Sequence, residues 1–193
     1  MGRRHPAAMA DPASLSRRSY GPDAARCEVL TFREGALSAF AHDLLLRVTA
    51  FELVVDPVVP SVAARLDPAS LRVVGAMRDG RPLAGALRAT DAREIEEAIA
   101  ATVLRARRFP DIRFASTGVS RRDGGGYDVR GALTLVGVTR PIEVAVSRDG
   151  ERLVAEVPLH QPAFGVRPYS AMLGTLRVKP DVLVRLSVPA EGL

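Results

Sequence analysis

A chain of 193 residues that is 47% hydrophobic can bury a substantial single core, which excludes disorder for most of its length. Aromatics are only 5% and tryptophan is absent, so any interior is built mainly from Val, Leu, Ile and Ala. The net charge of +5 is uneven: residues 1–26 hold +3 of it, and with no recognition motif or basic aromatic stripe in the remainder, nucleic acid is excluded as a partner.

Residues 1–26 mix Pro, Ala, Ser and Arg without periodicity and read as a flexible N-terminal arm, with Met9 offering a second start. No continuous apolar stretch follows the early arginines, so no secretory signal is expected. No segment reaches the ~18 apolar residues of a spanning helix. The single Cys27 excludes an intrachain disulfide framework. The expectation is a cytoplasmic chain that does not span a membrane.

The domain proper is expected over 27–193. CEVLTF is strand-like, Glu34-Gly35 marks a turn, and ALSAFA resumes extended. LLLRVTAFELVVD is a long β-rich run closed by Pro57 and Pro60, and SVAARLDPASLRVV gives two strands around Asp67-Pro68. One helix is predicted over 91–107, with Asp91 as N-cap, Glu94 three residues on, and Pro110 as the stop. Ile95, Ala98, Ile99, Thr102, Val103 and Ala106 form its apolar stripe.

Strands then return. Ile112 and Phe114 alternate with Arg113 and Ala115, and Asp123-Gly124-Gly125-Gly126 is a hairpin turn. Tyr127, Val129, Leu133 and Leu135 alternate with Asp128, Arg130 and Thr134. A turn at Val138-Thr139-Arg140-Pro141 leads into Ile142, Val144 and Val146, and Asp149-Gly150 turns into RLVAEVPLH. A loop, FGVRPYSAMLG, and two last strands within TLRVKPDVLVRLSVP end the chain. An antiparallel sheet of about nine to eleven strands has to close into a barrel or a sandwich to hide its edges.

The ordered set Phe109-Pro110, Ile112, Phe114, Ser116, then Gly131, Leu133, Thr134, Leu135, Gly137, Val138, Thr139, Arg140 and Pro141 resembles the YceI-like family, and the likeness extends over about residues 27–188. It implies an all-β, lipocalin-like, eight-stranded antiparallel barrel with one flanking helix. It also implies a long polyprenyl lipid or isoprenoid quinone in an apolar cavity, with no cofactor required. His42 stands where the family has a histidine on an early strand, without the glycine that follows it there.

The inward alternants Phe114, Val129, Leu133, Leu135, Ile142, Val144, Val146, Leu153 and Val157, with Leu176 and Val178 from the last strands, are the candidate cavity lining. His42, Tyr169 and Ser170 are the candidate polar or lid contacts. No catalytic residue is assigned: His42 and Asp43 are adjacent on a strand and point to opposite faces, so they form no simple dyad. His160 should face outward and His5 lies in the arm, so no metal site is expected. Arg140 reads as a solvated turn residue. The leading expectation is a non-enzymatic carrier or sequestering protein for an apolar lipid, with a homodimer compatible. The alternative is a filled-core barrel that serves as a protein-interaction module. An enzyme, the third reading, would need a polar cluster around His42.

Overall fold

The computed structural model describes residues 16–34, 42–123, 125–171 and 176–191, without the side chains of Ala171 and Leu176. Its first half builds β1 (Arg18–Tyr20), β2 (Arg26–Thr31), β3 (Arg33–Glu34), β4 (Asp43–Val48), β5 (Phe51–Asp56), β6 (Ser61–Leu66), β7 (Leu71–Arg78) and β8 (Arg81–Leu83). The helix α1 (Ala89–Ala98) follows. The second half builds β9 (Ile112–Arg121), β10 (Tyr127–Leu135), β11 (Val138–Asp149), β12 (Arg152–His160), β13 (Ser170–Ala171), β14 (Leu176–Val178) and β15 (Asp181–Pro189).

Twelve strands form one antiparallel sheet in the order β1-β5-β6-β9-β10-β11-β12-β15-β2-β4-β7-β8, strongly curled into a half-barrel. A second, three-stranded sheet has the order β13-β14-β3. The all-β barrel class is as expected, but the strand number exceeds eight. The additional strands are pieces of two or three residues, such as β1, β3, β8 and β13, too short to show an alternation.

β5 and β6 lie near one end of the strand order and β4 and β7 near the other. Yet β4 runs into β5 through Thr49-Ala50, and β6 into β7 through Asp67–Ser70. These two corners bring the ends of the sheet together, with no ladder between them among the described residues. Buried Ser70 laces them. Its hydroxyl accepts from the Ala50 N–H at 3.0 Å and donates to the Asp67 carbonyl at 2.7 Å. Its carbonyl accepts from the Thr49 N–H at 3.1 Å and the Thr49 hydroxyl at 2.9 Å.

The helix covers this junction. A π-helical stretch, Ile99–Val103, extends α1, and the Leu104 N–H donates to the Ile99 carbonyl at 2.8 Å. Ile99 and Leu104 pack on the buried cluster of Cys27, Leu46, Val48 and Leu71, which Phe51 and Leu66 join from the other end of the sheet. Glu96 fixes the helix to β7 by accepting from the Val73 N–H at 2.8 Å.

Several local expectations are corrected. The sheet begins at Arg18, inside the stretch read as an arm, because β1 pairs with β5 and both Tyr20 and Ala25 are buried. Residues 1–15, including His5, lie outside the described residues, as do Gly35 and all of ALSAFA. Asp91 is the third helical residue rather than the N-cap; its carboxylate accepts from the Arg88 N–H at 3.3 Å. The helix ends at Val103, and Arg105 in the left-handed region (φ 50°) turns the chain away well before Pro110. FGVRPYSAMLG contains β13, while Met172 falls outside the described residues.

The turn expected at Val138–Pro141 lies instead at Val136-Gly137, where both residues have positive φ (51° and 79°), as a two-residue hairpin tip requires. A β-branched residue there costs about 1–3 kcal/mol. Burial of Val136 with Leu133, Leu135, Phe164 and Val166 offsets it. A Cβ on Gly137 would lie 2.6 Å from Cε1 of Phe109, so the ring of the Phe-Pro pair packs closely against the tip. Arg140 is exposed on β11, where its Nε donates to the Ala163 carbonyl.

Ser70→Ala removes the partner of the Ala50 N–H in a part-buried hydrogen bond. It is expected to lower stability by about 0.5–1.5 kcal/mol in urea unfolding. An unchanged midpoint would show that the corners hold without it.

Candidate functional site

Along a strand, alternate residues face one side of the sheet, and here the apolar set faces inward on strand after strand. The inward set includes Cys27 and Val29 on β2, Leu44, Leu46 and Val48 on β4, Leu53 and Val55 on β5, and Val62 and Ala64 on β6. Val182, Val184, Leu186 and Val188 continue it on β15, and Ile95, Ala98, Ile99 and Val103 add the helix stripe. Together they enclose a cavity of about 860 Å³. Small-molecule sites typically measure ~300–1,000 Å³.

The structure places Phe114, Val129, Leu133, Leu135, Ile142, Val144, Val146, Leu153, Val157 and Val178 on the wall of this cavity. The backbone of Leu176 lies on β14, but its side chain is outside the described set. Ile142, Val144 and Val146 are only partly buried although they point inward. A filled core would bury them fully, so the filled-core barrel does not account for this interior.

Sequence reasoning missed the lining from the early strands, where DLLLRV hides its alternation behind three consecutive leucines. It also missed Val119 and Arg121. Between β9 and β10 the register shifts, with Gly131 opposite Ser116 and Arg130 opposite Gly118, so Thr117 is an extra residue. This bulge reverses which positions face inward and turns Val119 and Arg121 toward the cavity. Ser116 stabilises the spot by accepting the Val62 N–H through its hydroxyl at 2.8 Å. Across the same pair of strands, a Cβ on Gly131 would come within 2.4 Å of Cζ of Phe114. The glycine thus lets the Phe114 ring lie against the wall.

Polar groups collect at the ends of the lining. At one end are Thr31, Arg33, His42, Gln161, Tyr169 and Arg177. Here β14 pairs with β3, and the Arg33 N–H donates to the Asp43 carboxylate at 2.9 Å. His42 lines the cavity with its Nδ1 buried and without a hydrogen-bond partner among the described residues. Asp43 is engaged with Arg33, so the two adjacent residues do not act as a dyad. Ser170 sits on β13 and is not part of the wall, whereas Tyr169 is. At the other end the lining reaches Asp56, Pro57, Pro60, Ser61 and Arg121.

His160 points outward, with its Nδ1 2.8 Å from Asp181, as expected. Among the described residues no group of three or more His, Cys, Asp or Glu side chains could hold a metal ion. Among them, too, no helix is long and apolar enough to cross a membrane.

Residues 47–190 match the YceI-like domain family. A comparison with curated proteins finds no match. Among solved structures, Burkholderia cenocepacia BcnA is similar at 16% identity, with a TM-score of 0.53 over 85% of this chain and 96% of that one, a likeness of fold. A Campylobacter jejuni YCEI protein is similar at 10% identity, with a TM-score of 0.40 over 95% of this chain and 90% of that one.

Cys27 on the cavity wall gives a direct check of this interior. Burial, and secondarily the charge of Glu28, push its thiol from 9.0 up to about 12. The folded state favours the neutral thiol, so this group's contribution to stability is whole below pH 9 and is lost as pH rises from 9 toward about 12. A thiol reagent at pH 8 is expected to label Cys27 only after unfolding. The loss of stability at high pH is expected to be smaller in Cys27→Ala; equal loss in both proteins would contradict the buried placement.

Proposed function

The chain belongs to the YceI-like domain family, and on that premise we propose that it binds a long apolar lipid, polyisoprenoid or isoprenoid-quinone-like, and sequesters or carries it without catalysis. The observation that supports this reading is the cavity of about 860 Å³ with walls of aliphatic side chains. Burial is worth ~0.8 kcal/mol per methylene, so about ten buried methylenes contribute roughly 8 kcal/mol. Part of that is lost to association and ordering, and long-chain ligands reach micromolar affinity without a charged anchor. The smooth wall of Val, Leu and Ile suits a flexible branched chain, which adapts to the cavity by rotating its own bonds.

Orientation of the ligand comes from the polar end. His42, with its buried unpartnered Nδ1, and Tyr169, half exposed at the rim, are placed to meet a polar head group there. An N–H on His42 would donate to a carbonyl oxygen such as that of a quinone, which satisfies a group that otherwise costs about 1–3 kcal/mol to leave buried and unpaired.

Native mass spectrometry of the purified protein, followed by organic extraction, is expected to show one prenyl or quinone lipid per chain. If the protein arrives empty, a fluorescent prenyl probe is expected to enter and to be displaced by long-chain quinones. Val144→Trp fills the lumen and is expected to weaken probe binding about tenfold or more, equivalent to ~1.4 kcal/mol or more, with the fold retained. His42→Phe is expected to weaken a quinone about fivefold to twentyfold and to spare a plain polyprene, the size of one buried hydrogen bond. No adduct, no probe uptake and no competition would overturn the proposal.

A further inference from the structure

The most exposed large apolar side chains among the described residues are neighbours. Val58 is 64% and Val59 69% exposed, at the tip of the β5–β6 turn in the sequence Pro57-Val58-Val59-Pro60. The tip is held in shape: the Asp56 carboxylate accepts from the Val58 N–H at 2.9 Å and from the Val59 N–H at 3.0 Å. The backbone donors of both valines are therefore satisfied within the turn, which lowers the cost of placing them in an environment poor in water.

Beside the Asp56 carboxylate, which is taken up by the turn, two arginines stand at this end, and the tip is continuous with the cavity. Pro57, Pro60 and Ser61 are part of the cavity wall, so the turn is its rim. β1 pairs with β5 so that Arg18 stands opposite Val55, which brings Arg17 to the level of Asp56. Arg121, at the end of β9, reaches the same end of the cavity. Arg17 and Arg121 are exposed, and neither is in an ion pair among the described residues. A stable protein–protein contact buries about 800 Å² per partner. Two valines on a convex tip fall far short of that, but an apolar tip flanked by arginines suits the boundary between acidic headgroups and acyl chains.

We propose that this turn docks the protein on an anionic lipid bilayer. Val58 and Val59 enter the headgroup–acyl boundary, while Arg17 and Arg121 meet the phosphates. The rim formed by Pro57 and Pro60 then faces the membrane, so an apolar ligand can pass between bilayer and cavity; this last step rests on the lipid-binding reading above.

The test is sedimentation of the full chain with vesicles of phosphatidylcholine, with or without phosphatidylglycerol. Wild type is expected to sediment with the anionic vesicles, much less with the neutral ones, and progressively less as salt is raised. The double variant Val58→Ser, Val59→Ser keeps the charge and is expected to lose about tenfold in partitioning, equivalent to ~1.4 kcal/mol. Arg17→Glu is expected to weaken anionic binding severalfold with the tip intact. Thermal unfolding of each variant confirms that it is folded.

Uptake of a prenyl probe is measured in parallel. If the probe enters wild type but anionic vesicles do not sediment it, or the double-valine variant sediments as wild type does, docking through this turn is overturned and lipid binding stands. If vesicles give the expected pattern and no probe enters, docking stands and the carrier reading falls.

Discussion

An antiparallel sheet whose two ends share no hydrogen-bonded ladder among the described residues has to be held shut in another way, and the rest of this structure follows from how that is done. The covalent corners at Thr49-Ala50 and Asp67–Ser70 link the ends, and the buried Ser70 binds one corner to the other. The stretch from Ile95 to Leu104 then covers the junction, with Ile99 and Leu104 on the same buried cluster that Phe51 and Leu66 join from the other end of the sheet. The helix thereby becomes part of the cavity wall.

The hollow interior has a cause in side-chain size. The inner face is almost entirely Val, Leu, Ile and Ala, whose reach is short, and few aromatic rings are available to fill the middle. Of these, Phe109 packs against the Val136-Gly137 tip, and Phe114 comes close to β10 because position 131 carries no side chain. Packing is tight around Val136, Phe164 and Val166, while the inward residues of β11 remain only partly buried. Polar groups sit at the two ends of the lining, with His42, Tyr169 and Arg177 at one and Arg121 at the other. A ligand with one polar end and a long apolar body matches that distribution.

The legible and illegible parts of the sequence divide by contact distance along the chain. β9 to β12 pair with their sequence neighbours through short turns, so their alternation and glycines could be read directly. β2 was legible in CEVLTF although it pairs with the distant β15, whereas the three residues of β1 pair only with β5 and carry no local pattern, so Arg18–Tyr20 looked like part of an arm. Local reading also failed where one residue changes parity. Thr117, the extra residue in the β9 bulge, hid Val119 and Arg121, and the left-handed Val136 moved a turn that Thr-Arg-Pro had suggested. Both depend on what the backbone meets across the sheet: Ser116 on Val62 in one case, Phe109 on Gly137 in the other.

By itself the sequence determined the all-β class, the inward-facing set from Phe114 to Val157, and the family resemblance in residues 109–141, because period-two alternation and turn chemistry act within a few residues. It could not determine whether that inward face meets other side chains or empty space, since a dry core and a ligand cavity need the same aliphatic alternation. Tertiary structure decided this through the distance between walls. That distance is set by strand order, corners and helix placement, all of them contacts between residues far apart in the chain.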